Sequence, residues 1–323
     1  MGTAYLAAEP GGPDVLRRVE LPDDALGPTQ VRVRHTAIGV NFIDTYFRSG
    51  LYAWPGSQLV PGSEAAGVVV EVGRDVTDFA PGDRVVYTTP LGAYRTGRAV
   101  ESDRLVPLPQ NLDDTVAAAI FLKGLTAHYL VTDSHPVRRG ENILVHAAAG
   151  GVGLLLGQWL AHLGANAIGT AGGPAKTALA AGYGYAHVID YTQDDVLADV
   201  RRLTGEKLCA AAYDSVGRDT WRISLDCLAV RGSFVSFGQS SGPVEGFQLA
   251  DLARGSFSAS RPKLFDFIAS PAELRARAAV LFDLVAKGVL KTQEITVRPL
   301  ADVVAVHTDL EARRTVGSTV LVP

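Results

Sequence analysis

The residues whose spacing most plainly implies chemistry are the glycines that follow an apolar run in Ile143-Leu-Val-His-Ala-Ala-Ala-Gly-Gly-Val-Gly153. Gly150 and Gly151 let a backbone come close to a pyrophosphate. Gly153 lets the next helix pack tightly on the strand, and the start of that helix, at Val152, offers unpaired N–H groups to an anion. Ala148 stands where such patterns usually begin with glycine. The pattern alone is weak, but a buried strand before it and a helix after it favour a dinucleotide site over a bare structural turn. An NAD site places a carboxylate about 20 residues on, at the end of the second strand. That end here reads Ile168-Gly-Thr-Ala-Gly-Gly-Pro-Ala-Lys176, without Asp or Glu. A carboxylate there would repel a 2′-phosphate by up to ~4 kcal/mol at contact distance and an effective dielectric near 20. Its absence, with Lys176 close by, points to NADPH. The plainer reading of Lys176 is a solvated residue of a first helical turn.

Missing residue types narrow the chemistry. Metal-assisted alcohol chemistry needs Cys and His ligands to polarise a carbonyl. The two cysteines, Cys209 and Cys227, sit in apolar surroundings at no metal-like spacing and read as buried free thiols. The seven histidines, His35, His128, His135, His146, His162, His187 and His307, are scattered and read as structural or surface residues. A site without metal or strong acid suits an acceptor that takes hydride directly, a quinone or a conjugated enone.

Elements must hold these residues. Val31 to His35 alternates apolar and polar, and Ala66 to Val72, the Pro81-Gly82-Asp83 turn and Arg84 to Tyr87 read strand, turn, strand. Short strands and turns over about the first 120 residues predict a compact β-rich domain. Then the pattern alternates: strand Ile143–Ala147, helix Leu154–Leu163, strand Ala165–Thr170, strand His187–Asp190, helix Asp194–Leu203, strand Cys209–Asp214, helix Thr220–Leu228, strand Ser233–Phe237. Such βαβ alternation predicts a doubly wound parallel sheet. Ser270-Pro-Ala-Glu273 opens a helix running to Lys287 and closed by Gly288. Strand Ile295–Val297, a helix from Ala301 and strand Thr319–Val322 complete a segment expected to return to the first domain.

Composition sets the outer limits. The 323 residues make about two domains, 47% hydrophobic and 20% charged, an ordinary globular balance. A net charge of −4 gives no basic footprint for nucleic acid. Met1 to Pro10 lacks the pattern of a signal peptide. The apolar stretch Val152 to Ile168 is broken by Gln158, His162 and Asn166 and is too short and polar to span a bilayer. The chain reads as soluble and cytoplasmic. The 34 glycines are an excess that turns and a phosphate grip would explain.

Gly140 to Gly153 with Gln158 resembles the signature of the quinone oxidoreductases, the zinc-free, ζ-crystallin-like branch of the medium-chain dehydrogenases/reductases. Gly39 to Tyr46, Arg48 to Tyr52, Pro61 to Gly67, Phe121 to Thr126, Tyr213 to Trp221 and Val235 to Gly242 extend the resemblance over essentially the whole chain, most closely to bacterial NADPH:quinone reductases. It implies a Rossmann domain inserted into a GroES-like catalytic domain, with boundaries expected at 1–124, 125–262 and 263–323 and an active site in the cleft between them. Zinc-dependent relatives carry ligands at positions matching Asn41, Ser63 and roughly Lys123, none of them Cys or His here.

By the same resemblance, Asn41 and Thr126 contact the nicotinamide half of NADPH, and Gly150, Gly151, Val152 and Gly153 hold the pyrophosphate. Gly172, Lys176, Tyr191 and Arg313 surround the 2′-phosphate, and Ser215, Phe237, Gly238 and Gln239 line the remaining path. Gln239 stands where close relatives often have Asn. The quinone pocket matches Asn41, Asp44, Tyr46 and Tyr52. A tyrosine hydroxyl there could steady an oxyanion or pass a proton, or the rings could simply form a wall. Asp44 reads equally as a turn or cap residue. The resemblance also implies a homodimer, with Ser256 to Ser260 as an edge strand able to pair across a two-fold axis. It leaves open one- or two-electron reduction, an enone reductase, and a non-catalytic NADPH-holding role of a structural or RNA-binding kind.

Overall fold

The computed structural model describes residues 2–23, 25–292 and 295–323. Along the chain, the first strands are β1 (Gly2–Leu6), β2 (Arg17–Leu21), β3 (Gln30–Gly39), β4 (Glu64–Val72), β5 (Arg84–Thr88), β6 (Gly97–Glu101) and β7 (Leu105–Pro107). Helix α1 (Phe42–Arg48) lies between β3 and β4, and α2 (Asp114–Tyr129) follows β7. Next come β8 (Asn142–Val145), α3 (Gly151–Leu163), β9 (Asn166–Ala171), α4 (Pro174–Ala181), β10 (His187–Asp190), α5 (Val196–Thr204), β11 (Cys209–Asp214), α6 (Trp221–Asp226), β12 (Leu228–Ser236) and β13 (Ser258–Ser260). The last elements are α7 (Leu264–Phe267), α8 (Pro271–Ala286), β14 (Ile295–Pro299), α9 (Val303–Glu311) and β15 (Ser318–Val322). The chain forms two compact units, one of residues 1–122, 268–282 and 292–323, the other of 123–267 and 283–291.

In the first unit a mostly antiparallel sheet runs β14-β15-β3-β4-β5-β7, with β6 pairing on β3. Its core joins Val31, Val33, Ile38, Val69, Val85 and Tyr87 to Leu300, Val303 and Leu321 from the last segment of the chain. The alternation of β3 is the inward half of that packing. His35 lies inside this core, where Nδ1–H donates to the Arg95 carbonyl at 2.6 Å and Nε2 accepts from the Tyr87 hydroxyl at 2.9 Å. Removal from water drives its pKa down to about 3.

In the second unit six strands lie in the order β10-β9-β8-β11-β12-β13, every pair parallel. The order reverses between β8 and β11, and in such sheets ligands bind outside the strand ends at that point. Ile143, Leu144 and Val145 are fully buried, as the run without alternation predicts. The strand stops at Val145 rather than Ala147, because Ala147 turns into a left-handed conformation with φ 54°. Helix α6 ends at Asp226, and Leu228 already belongs to β12. Both cysteines are buried free thiols on β11 and at the entry to β12. Burial pushes the Cys209 thiol up to about 12 and that of Cys227 up as well.

Among the described residues, the helical stretch that meets the length and apolarity of a membrane span is not Val152 to Ile168. Asp114–Ser134 is long and apolar enough by length and composition to cross a membrane, yet 78% of its most apolar window is buried inside the protein. It is a core helix, and its apolar residues, Ala117, Ala118, Phe121 and Leu125 among them, lie on every side.

Candidate active site

The glycine turn of the second unit is tied on both sides. The N–H of His146 donates to the Tyr213 carbonyl at 3.0 Å, and that of Ala148 donates to the Thr170 carbonyl at 3.0 Å. Gly150 is the residue before the first turn of α3 and makes no side-chain cap, so the first N–H groups of this 13-residue helix are not taken by a capping side chain. A Cβ on Gly153 would lie 2.4 Å from the Ala147 carbonyl oxygen and 2.7 Å from that of Ala148. Only glycine lets α3 sit this close to the turn. Glycine at the cap and the bare helix start fit the pyrophosphate of a dinucleotide, with the donors at Gly151, Val152 and Gly153. His146 is buried, with Nδ1 2.9 Å from the Thr170 hydroxyl and Nε2 without a hydrogen-bond partner.

The β9–α4 edge gathers three of the expected 2′-phosphate residues. Gly172 lies against the Tyr191 ring, whose hydroxyl would be 2.6 Å from any Cβ at that position. Lys176 is in the first turn of α4 and half-buried. Arg313 belongs to the first unit, just past the end of α9, with φ 57°. Asp190, which was not among the expected residues, organises this edge. Its Oδ1 accepts from the Gly173 N–H at 2.9 Å, the Thr192 N–H at 3.0 Å and the Thr192 hydroxyl at 2.7 Å. These bonds, that from Gly173 foremost, hold its carboxyl below the usual range. The Asp-x-Thr spacing at a strand end was a readable signal for it.

At the end of β11, Asp214 is fully buried and accepts from the N–H groups of Val216 at 2.8 Å and Gly217 at 2.9 Å. The backbone N–H of Phe237 donates to the Asp214 carbonyl at 2.8 Å. Ser215, Phe237, Gly238 and Gln239 are therefore assembled on two loops held together, with a Cβ at Gly238 forbidden by the Ser215 carbonyl at 2.6 Å. Thr126 is buried on α2.

In the first unit, Asn41 precedes α1 and Asp44 closes the first turn, its Oδ2 accepting from the Asn41 N–H at 2.9 Å. The cap reading of Asp44 is therefore a structural fact. Its other partners lie far along the chain. The Ser63 hydroxyl donates to Oδ1 at 2.6 Å and the Tyr94 hydroxyl to Oδ2 at 2.8 Å. Desolvation raises the Asp44 pKa to about 6, against the pull of these donors. The Asn41 amide donates to Glu64 Oε1 at 2.8 Å, while Glu64 Oε2 accepts from the Leu122 N–H at 2.7 Å. Because a carboxylate only accepts, the Asn41 nitrogen must face it, which fixes the amide. Tyr46 is buried, Tyr52 is half-buried, and their rings meet edge-on at 5.4 Å, with Phe47 also 5.4 Å from Tyr52. Among the described residues no group of three or more His, Cys, Asp and Glu side chains could hold a metal. Tyr94 and His307, which complete the surroundings of Asp44, were beyond any sequence signal.

Comparison with known proteins gives this geometry its context. Residues 27–141 match the alcohol dehydrogenase GroES-like domain and residues 151–266 the zinc-binding dehydrogenase family. A quinone oxidoreductase of Pseudomonas aeruginosa is 49% identical over 97% of both chains. A 2-haloacrylate reductase of a Burkholderia species is 41% identical over 100% of this chain and 99% of its own. The crystal structure of Escherichia coli quinone oxidoreductase complexed with NADPH superposes with a TM-score of 0.96 at 43% identity, covering 99% of this chain and 100% of that one. With its parallel dinucleotide-type sheet and its GroES-like domain, the chain belongs to the quinone oxidoreductase family of the medium-chain dehydrogenases/reductases.

Proposed function

We propose that the chain is an NADPH:quinone oxidoreductase. The observation that carries this reading is full-length similarity, at 49% identity, to a quinone oxidoreductase. The uncapped start of α3 and the β9–α4 edge support it as a seat for a phosphorylated dinucleotide. When bound, NADPH supplies a hydride to the acceptor. Gly151, Val152 and Gly153 bind the pyrophosphate through their N–H groups. Gly172, Lys176 and Tyr191 select the 2′-phosphate, with Lys176 supplying the charge. Ser215, Phe237, Gly238 and Gln239 flank the path, and Asn41 and Thr126 orient the nicotinamide. Tyr46 and Tyr52 present an aromatic wall to a flat acceptor, and the half-buried Tyr52 hydroxyl is the group able to hand it a proton. Asp44 acts from behind, through Asn41.

One experiment tests both the acceptor and the 2′-phosphate site: anaerobic turnover of 1,4-benzoquinone with NADPH and with NADH, in the wild type and Lys176→Ala. The expected result is NADPH-dependent quinone reduction, with the preference over NADH reduced about tenfold or more in the variant. Absence of quinone turnover together with reduction of an alkenal would transfer the assignment to the second reading, a conjugated double-bond reductase, which the similarity to 2-haloacrylate reductase favours. An unchanged coenzyme preference in Lys176→Ala would return that residue to the solvated surface.

The chain acts as a homodimer in this reading, in a reducing cytoplasm that keeps both thiols free. β13 ends the parallel sheet, and no strand among the described residues pairs with its outer edge. Val230 on the neighbouring β12 is 77% exposed, and Leu249, on the turn leading to β13, is 81% exposed. An open edge beside exposed apolar side chains supports strand pairing across a two-fold axis. Sedimentation at micromolar concentration should give about twice the 34.1 kDa chain mass. A monomer at that concentration would remove the proposal.

A further inference from the structure

The buried polar groups behind Asn41 form a chain with a readable direction. Every nitrogen of Arg48 is a donor, and its Nη1 lies 3.4 Å from His307 Nδ1. Nδ1 must therefore be the bare nitrogen, which puts the ring proton on Nε2. From there it donates to the Tyr94 hydroxyl oxygen at 2.9 Å. Tyr94 has one proton to give, and it goes to Asp44 Oδ2 at 2.8 Å. The opposite tautomer would set two N–H groups against each other at Arg48 and turn the Tyr94 proton away from the carboxylate. Glu311 anchors the far end, accepting from Arg48 at 3.0 and 2.5 Å. Arg48, His307, Tyr94 and Asp44 are all essentially shut off from water, so solvent cannot substitute for a lost partner.

We propose that His307 and Tyr94 are positioning residues for the reduction: a one-way hydrogen-bond chain from α9 fixes the Asp44 carboxylate, which fixes Asn41. This rests on the assignment of Asn41 to the cofactor and acceptor above. The charged and titratable groups facing Asp44 are Tyr94 from the β5–β6 segment, Glu64 from β4, and Arg48 with His307 behind Tyr94.

Three variants separate positioning from packing. Gln at 307 offers an amide oxygen to Arg48 and an amide N–H to Tyr94, so His307→Gln keeps both bonds. His307→Phe keeps neither, and Tyr94→Phe removes the donor to Asp44. We expect kcat/KM with 1,4-benzoquinone to fall about tenfold in Tyr94→Phe and His307→Phe, mainly in kcat, and to stay within about twofold of wild type in His307→Gln. Nitrogen-15 shifts of His307 in the cofactor-free wild type should report the proton on Nε2. The proposal is overturned if the proton is on Nδ1, if His307→Gln falls as far as His307→Phe, or if Tyr94→Phe keeps its kcat. Should His307→Phe fail to fold, Tyr94→Phe and the nitrogen shifts still decide. A wild type that reduces no quinone sinks the functional reading alone, and the tautomer then decides whether the chain runs in the stated direction.

Discussion

Acidification from about pH 7.5 to about pH 5 should destabilise the protein by a net 2–3 kcal/mol through three buried groups of the first unit, His35, His307 and Asp44, on the order of a quarter of a typical domain's stability. The reason is the two histidines of the first unit. His35 and His307 are held neutral in the fold, with pKa values driven down to about 3 by burial and, for His307, also by the Arg48 charge. In the unfolded chain they titrate at 6.5. A histidine whose folded pKa is depressed binds its proton, and so becomes charged, more readily when unfolded, so stability is lost as pH falls from 6.5 toward 3. At about pH 5 each contributes roughly 2 kcal/mol of loss. Asp44 acts oppositely: its folded pKa of about 6 exceeds the ordinary 3.8, so the folded state binds its proton first. That returns roughly 1.4 kcal/mol over the same interval. His307→Gln removes one histidine term while keeping its hydrogen bonds. Unfolding free energies from denaturant titrations at the two pH values should thus differ by about 2 kcal/mol less in the variant. An identical pH dependence in variant and wild type would show that His307 titrates normally in the fold.

The second large effect is at the glycine turn. In Gly153→Ala the new methyl would be 2.4 Å from one backbone oxygen and 2.7 Å from another, neither of which belongs to a flexible side chain. The start of α3 must back away from the turn, and the N–H groups of Gly151, Val152 and Gly153 lose their common aim. NADPH affinity should fall about 100-fold or more, near 3 kcal/mol, along with about 1–3 kcal/mol of stability from overpacking. Gly157→Ala is the control. It meets the Tyr183 carbonyl at 2.4 Å and the Tyr185 ring at 2.4 Å, on the same helix but one turn further from the anion site. It should lose stability and keep its affinity. Fluorescence titration of the apoprotein with NADPH, paired with melting curves, reads both quantities. Equal loss of affinity in the two variants would mean that helix packing in general, and not the turn, governs binding.

These cases show which parts of the molecule a sequence can reveal. The parallel sheet was legible because strands covered on both faces must be apolar throughout, and because a helix that begins on a glycine turn has few alternatives. The edges of those elements moved where one residue decides locally, as at Ala147, whose left-handed backbone ends β8 two residues early. Helices α1 and α2 left little trace. The first is seven residues long, with Asp44 and Arg48 facing inward, which inverts the usual polar pattern. The second is buried on most sides and so has no polar stripe to give it a period. The glycines proposed to hold the pyrophosphate could be named because the work assigned to them is done by neighbouring backbone. The support of Asn41 could not, since Tyr94 and His307 are 213 residues apart and meet only through the fold.

The two cysteines bear on survival as well as on folding. Quinones and enones alkylate thiolates, so an enzyme that handles them risks being tanned by its own substrate. The chain has two thiols in all, both buried, with burial raising their pKa values far above neutrality. Neither offers a thiolate at working pH, and neither is at the surface. The apolar packing around β11 and β12 thereby doubles as chemical armour against the acceptors proposed for this chain.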